Sequence, residues 1–238
     1  MPTESGSGYN RENRDFPEAI GGIVSVPVRQ PLFVRSPARL ATGPVHVWRF
    51  GAGDELSDAE HAAAAKFLNE PARDAFVAGR SGIRRAAAIY TGLDPSELMV
   101  STSAAGKPYF ENADLHFNVS HSGGVVVAAF SGSPVGIDIE VPGRCRDVVE
   151  IARRFFHPDE AERCSCEDEF LRLWTAKEAM LKLAGTGLSG GIADARPGVD
   201  GRGEVGGRGV WIQRFRVGSC VGAVASFERF EVKGWFQI

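Results

Sequence analysis

Two short stretches of this chain combine carboxylates and an ammonium at spacings that could do chemistry. In "FLRLWTAKEAMLKLAG", Phe170 to Gly185, the charged residues Lys177, Glu178 and Lys182 interrupt a strongly apolar frame. Phe170, Leu173, Trp174, Leu181 and Ala184 recur at three- and four-residue steps, which predicts a helix with one side on a core, stopped by Gly185. Glu178 and Lys182 are four apart and share a side of that helix. Alone, such a pair reads as a solvated surface salt bridge of small value. The second stretch is "GIDIE", where a strand period of two points Asp138 and Glu140 to one face and Ile139 to the other. A bare acid-x-acid pair also reads as a solvated strand edge, but "VGIDIE" is otherwise apolar, which predicts the end of a buried strand. Like charges there need compensation, and a cation supplies it. An oxygen-only donor set favours Mg²⁺, which completes its octahedron with waters and substrate phosphates. Glu178 is the natural third donor if its helix packs across the strand end. Lys182, one turn on, then faces an anion held by the metal, an arrangement suited to a pyrophosphate.

These residues need elements to position them. "VHVWRF" (Val45 to Phe50) alternates as a strand, and "LSDAEHAAAAKFL" follows as a helix capped by Ser57 or Asp58. A second helix is predicted over "ARDAFVAGRSGIRRAAAIY", ending at Thr91 and Gly92. "LHFNVSHSGGVVVAAFSGSPVGIDIE", Leu115 to Glu140, reads as three buried strands broken at Ser122-Gly123-Gly124 and at Ser131-Gly132-Ser133-Pro134. "VVEIARRFF" is a helix halted by Pro158, residues 189–208 are Gly-rich and turn-like, and the end of the chain returns to strands. "HSGGVVVAAFS" and "VGSCVGAVASF" echo one another, which suggests two similar α/β halves packed together. The expected organisation is a tail and extended segment over 1–44, a first half over 45–140 and a second half over 141–238.

The order and spacing of "GKP" (Gly106 to Pro108), "FNVSHSGG" (Phe117 to Gly124), "GIDIE", "RRFFHPDE" (Arg153 to Glu160) and "WTAKEAMLKLAGTGL" (Trp174 to Leu188) resemble the 4′-phosphopantetheinyl transferases of the larger, Sfp type. The resemblance covers about residues 73–188. It implies an α/β (α+β) fold of two pseudo-twofold-related halves with coenzyme A between them. It also implies a reaction: the phosphopantetheine arm of coenzyme A moves to a serine of an apo acyl or peptidyl carrier protein, 3′,5′-ADP leaves, and Mg²⁺ is required. By the same resemblance Asp138, Glu140 and Glu178 bind the metal, and Glu178 takes the serine proton directly or through a water. Lys182 holds the pyrophosphate, His121 contacts the 3′-phosphate with Ser120 beside it, Arg80 contacts the same phosphate from upstream, and Lys107 lies near the nucleotide. Lys66 and Arg73 fall where the family carries other basic residues, and equally read as solvated helix charges. The chain departs from the pattern after Leu188, where the family often continues with a Pro-Leu pair and this sequence has "SGGIADARPGVDGRGEVGGRG".

The whole chain is consistent with this reading. Its 238 residues, 43% hydrophobic, suffice for one large domain or two small ones. A formal net charge of -3 gives no support for whole-chain attraction to nucleic acid or an anionic membrane, so an anionic ligand must be held locally. No apolar run reaches membrane-spanning length and the start has no apolar leader core, so a cytoplasmic protein with reduced cysteines is expected, and the resemblance implies a monomer. Two other functions use the same residues: Mg²⁺-dependent hydrolysis of a nucleotide pyrophosphate, and a non-catalytic module that binds coenzyme A or a carrier protein.

Overall fold

The structure is a computed structural model that describes residues 23–25, 40, 43–145, 147–187 and 191–238. Of the expected tail and extended segment over 1–44, all but a few residues lie outside that set, as do Leu188 and residues 189–190.

Each long element has a local reason for its bounds. The strand expected at "VHVWRF" is β2 (Pro44–Phe50), β1 being the short Ile23–Ser25. Helix α1 (Asp58–Ala64) starts at a capping box in which the Ser57 side chain accepts from the Glu60 amide while the Glu60 carboxylate returns to the Ser57 amide. Helix α2 (Glu70–Thr91) is capped by Asn69 and ends at Gly92, whose φ of 74° is left-handed. A hairpin of β3 (Val100–Thr102) and β4 (Pro108–Phe110) carries the "GKP" turn. The three expected strands are β5 (His116–Ser122), β6 (Val125–Ser131) and β7 (Val135–Glu140). After α3 (Val148–Phe155) and the short α4 (Pro158–Ala161), the motif helix α5 runs Glu167–Ala184. The Gly-rich stretch is more ordered than its composition predicts. It holds β8 (Arg196–Pro197) and β9 (Arg202–Val205), because the turn at Gly206 and Gly207, both at positive φ, folds β9 back onto β10 (Arg208–Val217). Strands β11 (Cys220–Ser226) and β12 (Glu231–Gln237) finish the chain.

Among the described residues these strands form two main sheets. The larger has the order β7-β11-β10-β9-β8, with β1 parallel to the far part of β10. The smaller has the order β12-β2-β6-β5. β7, counted above with the first half, thus has its ladder partner in β11, and the last strand returns to pair in parallel with β2.

The layers are helix, sheet, sheet, helix. Alternation sorts the side chains: Val127 and Ala129 of β6 face Ile137, Ile139 and Phe215 between the sheets, while Val126, Ala128 and Phe130 face α2. On the larger sheet, Val221, Ala223 and Ala225 face α5. Each main sheet therefore has one long helix across its outer side. The odd-numbered residues of β7 are committed to the core between the sheets, so Gly136, Asp138 and Glu140 must look toward α5.

Candidate active site

β7 is the edge of the larger sheet, and its outward amides need acceptors. They find them on β5. Asn118 Oδ1 accepts from the Ile137 amide (2.9 Å), Ser120 Oγ from Ile139 (3.2 Å) and Ser122 Oγ from Val141 (3.1 Å). Three alternate side chains of "FNVSHSG" thereby replace a backbone ladder and join the two sheets. The junction brings His121 to the same rim as the two acids of β7.

Helix α5 reaches the junction because Gly136 lets it. A Cβ at Gly136 would lie 2.0 Å from the Ala179 carbonyl oxygen and 2.6 Å from the Leu183 amide nitrogen. This approach lays one side of α5 over the carboxylates: Trp174, Glu178 and Lys182, with Val119, Ser120, His121, Asp138 and Glu140, line a cavity of about 300 Å³. Six of the eight residues singled out from the sequence meet there. Lys182 Nζ is 2.6 Å from Asp138 Oδ1 and 3.1 Å from Ser120 Oγ. Ser120 and Ser122 donate to Asp138 (2.8 Å) and Glu140 (2.6 Å).

The other two lie elsewhere. Lys107 lines a neighbouring cavity of about 590 Å³ between the β3-β4 hairpin, the start of β5 and the end of α5. Its ammonium binds the carbonyls of Val135 (3.1 Å) and Lys182 (2.8 Å), tying the "GKP" turn to the C-terminal end of α5, and burial lowers its pKa to about 8. Arg80 sits on α2 with Nε 3.9 Å from Glu60 Oε1 and its guanidinium over the Phe76 ring, and it lines neither cavity. Lys66 and Arg73 are exposed, and Arg73 pairs with Glu70 and Asp74 of its own helix.

The smaller cavity gathers three carboxyl groups against one ammonium. Burial first, then repulsion from Asp138, push the Glu178 carboxyl up to about 7, against the pull of Lys182. Asp138 is 4% exposed, and its Oδ2 is buried without a hydrogen-bond partner. An orphaned buried carboxylate oxygen beside two further acids is a donor set suited to a hard divalent cation. Among the described residues, no group of three or more His, Cys, Asp or Glu side chains is placed so that it could hold a metal ion by itself. Mg²⁺ is commonly held by one or two carboxylates, with water and phosphate supplying the rest, so the set fits that ion.

Sequence reasoning missed three residues. Asn118 and Ser122 flank the recognised Ser120 at a period of two, a signal that was available in "NVSHS". Lys177, the neighbour of Glu178, is fully buried: its ammonium binds Glu160 (2.7 Å) and the carbonyls of Ile192 (3.1 Å) and Ala195 (2.6 Å), and lies 5.0 Å from the Phe156 ring centroid. This contact fixes the opposite side of α5, so that Glu178 and Lys182 are left facing the cavity.

An edge strand carrying two acids is crossed here by a helix carrying an acid and an ammonium. Comparison with known proteins makes the class specific. The model of the 4′-phosphopantetheinyl transferase superfamily matches residues 134–207, and that of the 4′-phosphopantetheinyl transferase N-terminal region matches residues 46–133. The chain is 33% identical over 171 residues to the 4′-phosphopantetheinyl transferase HetI of Nostoc sp., which covers 63% of this chain and 72% of that protein. It is 43% identical over 116 residues to a 4′-phosphopantetheinyl transferase of Bacillus subtilis, covering 45% of this chain and 50% of that one. The figures for the transferase Sfp of the same species are 41% over 105 residues, 41% and 46%. The chain belongs to the 4′-phosphopantetheinyl transferase family, and its matched region spans about half the length of the two Bacillus relatives. The two family matches meet just before β7, the strand that crosses from one sheet to the other. No helix among the described residues is long and apolar enough to cross a membrane.

Proposed function

We propose that this protein transfers the 4′-phosphopantetheine arm of coenzyme A to a serine of an apo acyl or peptidyl carrier protein. The serine oxygen bonds to the phosphorus that bears the pantetheine arm, the pyrophosphate bridge breaks, 3′,5′-ADP leaves and the serine gives up its proton. The observation that carries the reading is the meeting of Asp138, Glu140, Glu178 and Lys182 around one cavity at the junction of the halves. Asp138, Glu140 and Glu178 would hold Mg²⁺, which when bound supplies charge compensation for the carboxylates and polarises the pyrophosphate. Lys182, now on Asp138, turns its ammonium to the phosphate oxygens. Glu178, half-buried on the cavity wall, accepts the serine proton directly or through a water. His121, exposed at the rim, is available to a phosphate of the nucleotide. The adjoining 590 Å³ cavity, with Lys107 and the aromatic rings of Tyr109 and Phe110, is large enough for the adenosine end.

Intact-mass spectrometry of apo carrier proteins incubated with this protein, coenzyme A and Mg²⁺ tests the reading, with EDTA and Asp138→Ala as controls. A phosphopantetheine mass increment that both controls remove is the expected result. Phosphopantetheine released without a carrier would point to hydrolysis instead, and coenzyme A binding with no increment on any carrier to a binding module.

A further inference from the structure

A serine hydroxyl has one proton to give and two lone pairs to fill, so a serine that accepts twice has only one direction left for its proton. Ser122, 3% exposed, accepts from the Val141 amide (3.1 Å) and from Arg144 Nη1 (3.5 Å). Its proton is thereby directed to Glu140 Oε2, 2.6 Å away, within the range of a charge-assisted O–H···O⁻ bond. Ser120, 5% exposed, repeats the pattern: it accepts from the Ile139 amide (3.2 Å) and Lys182 Nζ (3.1 Å), and donates to Asp138 Oδ1 (2.8 Å). Asn118, the third rung of the same side-chain ladder, meets the Ile137 amide and no carboxylate.

We infer that Ser120 and Ser122 are positioning residues that act through the carboxylates, each holding one oxygen of Asp138 or Glu140 so that the other is presented to a divalent cation. The inference rests on the cation-dependent reading proposed above. It explains why Asp138 Oδ2 is buried with no partner while Oδ1 has two. It also separates two tasks within one ladder. All three rungs satisfy amides of β7 or of Val141 just after it, but only the two serines also fix an acid, and a hydroxyl is needed because it accepts from an amide and donates to a carboxylate at the same time. An asparagine oxygen cannot donate. The resemblance put Ser120 beside the nucleotide's phosphate; here all its hydrogen-bonding positions are taken within the protein.

Mn²⁺ binding in the presence of coenzyme A, followed by the electron paramagnetic resonance of free Mn²⁺, tests this with Ser122→Ala, Ser122→Thr and Asn118→Ala. Ser122→Ala should weaken Mn²⁺ about 10- to 100-fold, the usual effect of losing an outer partner of a metal ligand. Ser122→Thr, which keeps the hydroxyl, should recover most of that. Asn118→Ala cuts a rung without touching an acid, so it should lower the urea midpoint while leaving Mn²⁺ affinity close to wild type. A folded Ser122→Ala with wild-type Mn²⁺ affinity overturns the assignment, as does an Asn118→Ala that weakens Mn²⁺ equally. If Ser122→Ala loses its cooperative transition, Ser122→Cys, similar in size and a weaker donor, takes its place with the same expected shift. A wild-type protein that takes up no Mn²⁺ overturns the cation reading itself and this inference with it.

Discussion

Replacing Gly136 by alanine adds one methyl group to a strand, yet it should disable the site. The new Cβ would stand 2.0 Å from the Ala179 carbonyl oxygen, 2.6 Å from the Leu183 nitrogen and 3.1 Å from the Ala179 carbonyl carbon. All three are backbone atoms of α5, so no side chain can swing aside. Ordinary contact begins at 3.4 Å, so the helix must lift by roughly 1.4 Å or the strand must sink into the core between the sheets. Strand movement is opposed by Ile137 and Ile139, both fully buried there. Overpacking of this kind costs about 1–3 kcal/mol, and the rigid neighbour places it toward the upper end. Function should suffer more. Ala179 is next to Glu178 and less than one turn from Lys182, so a lift of roughly 1.4 Å carries both side chains away from the carboxylates of β7 and stretches the 2.6 Å contact of Lys182 with Asp138. A misplacement of about 1 Å can reduce a rate about 10²-fold. Urea denaturation would give the stability change, and carrier modification followed by mass spectrometry would give the rate. Gly136→Ala with a wild-type rate and midpoint would refute the argument that this glycine sets the spacing of α5 from the carboxylates.

Two further outcomes follow from the same geometry. Glu178 has a folded-state pKa of about 7 against an ordinary 4.5, so between those values the folded protein binds more protons than the unfolded chain and stability falls as pH rises. Glu178→Gln, measured in EDTA, should therefore have a higher Tm than wild type at pH 8, with the advantage shrinking toward pH 4.5, while transfer activity is lost. A Tm difference that does not change with pH would contradict the burial and repulsion assigned to this carboxyl. Lys177→Met leaves Glu160, 2% exposed, without its closest partner and should lower stability by about 3 kcal/mol. Because an unpaired buried charge is the cause, the double variant Lys177→Met/Glu160→Gln should recover part of the loss in a urea titration, and no recovery would count against it.

Much of the site was legible in the sequence because its residues lie on regular elements. A period of two put Asp138 and Glu140 on one face, and a spacing of four put Glu178 and Lys182 on one side of a helix, whatever the rest of the chain does. Local chemistry also marked the helix ends at Ser57, Gly92 and Gly185. Other features had no local sign. Lys177 and Glu178 are adjacent charges, and nothing in "AKEA" tells which one the fold will bury. The answer depends on Glu160 and on two carbonyls some fifteen residues downstream. "NVSHS" read as a strand with a ligand-binding serine; that its alternate side chains stand in for a backbone ladder follows only from where β7 goes. The Gly-rich stretch looked like turns because β8 and β9 are too short to show a period and exist by pairing with each other and β10. Sequence alone determined which acids and ammonium share a face, since backbone geometry imposes that residue by residue. Tertiary structure decided which partners each charge meets, because β7 finds its ladder in β11, more than eighty residues later, and its side-chain acceptors in β5.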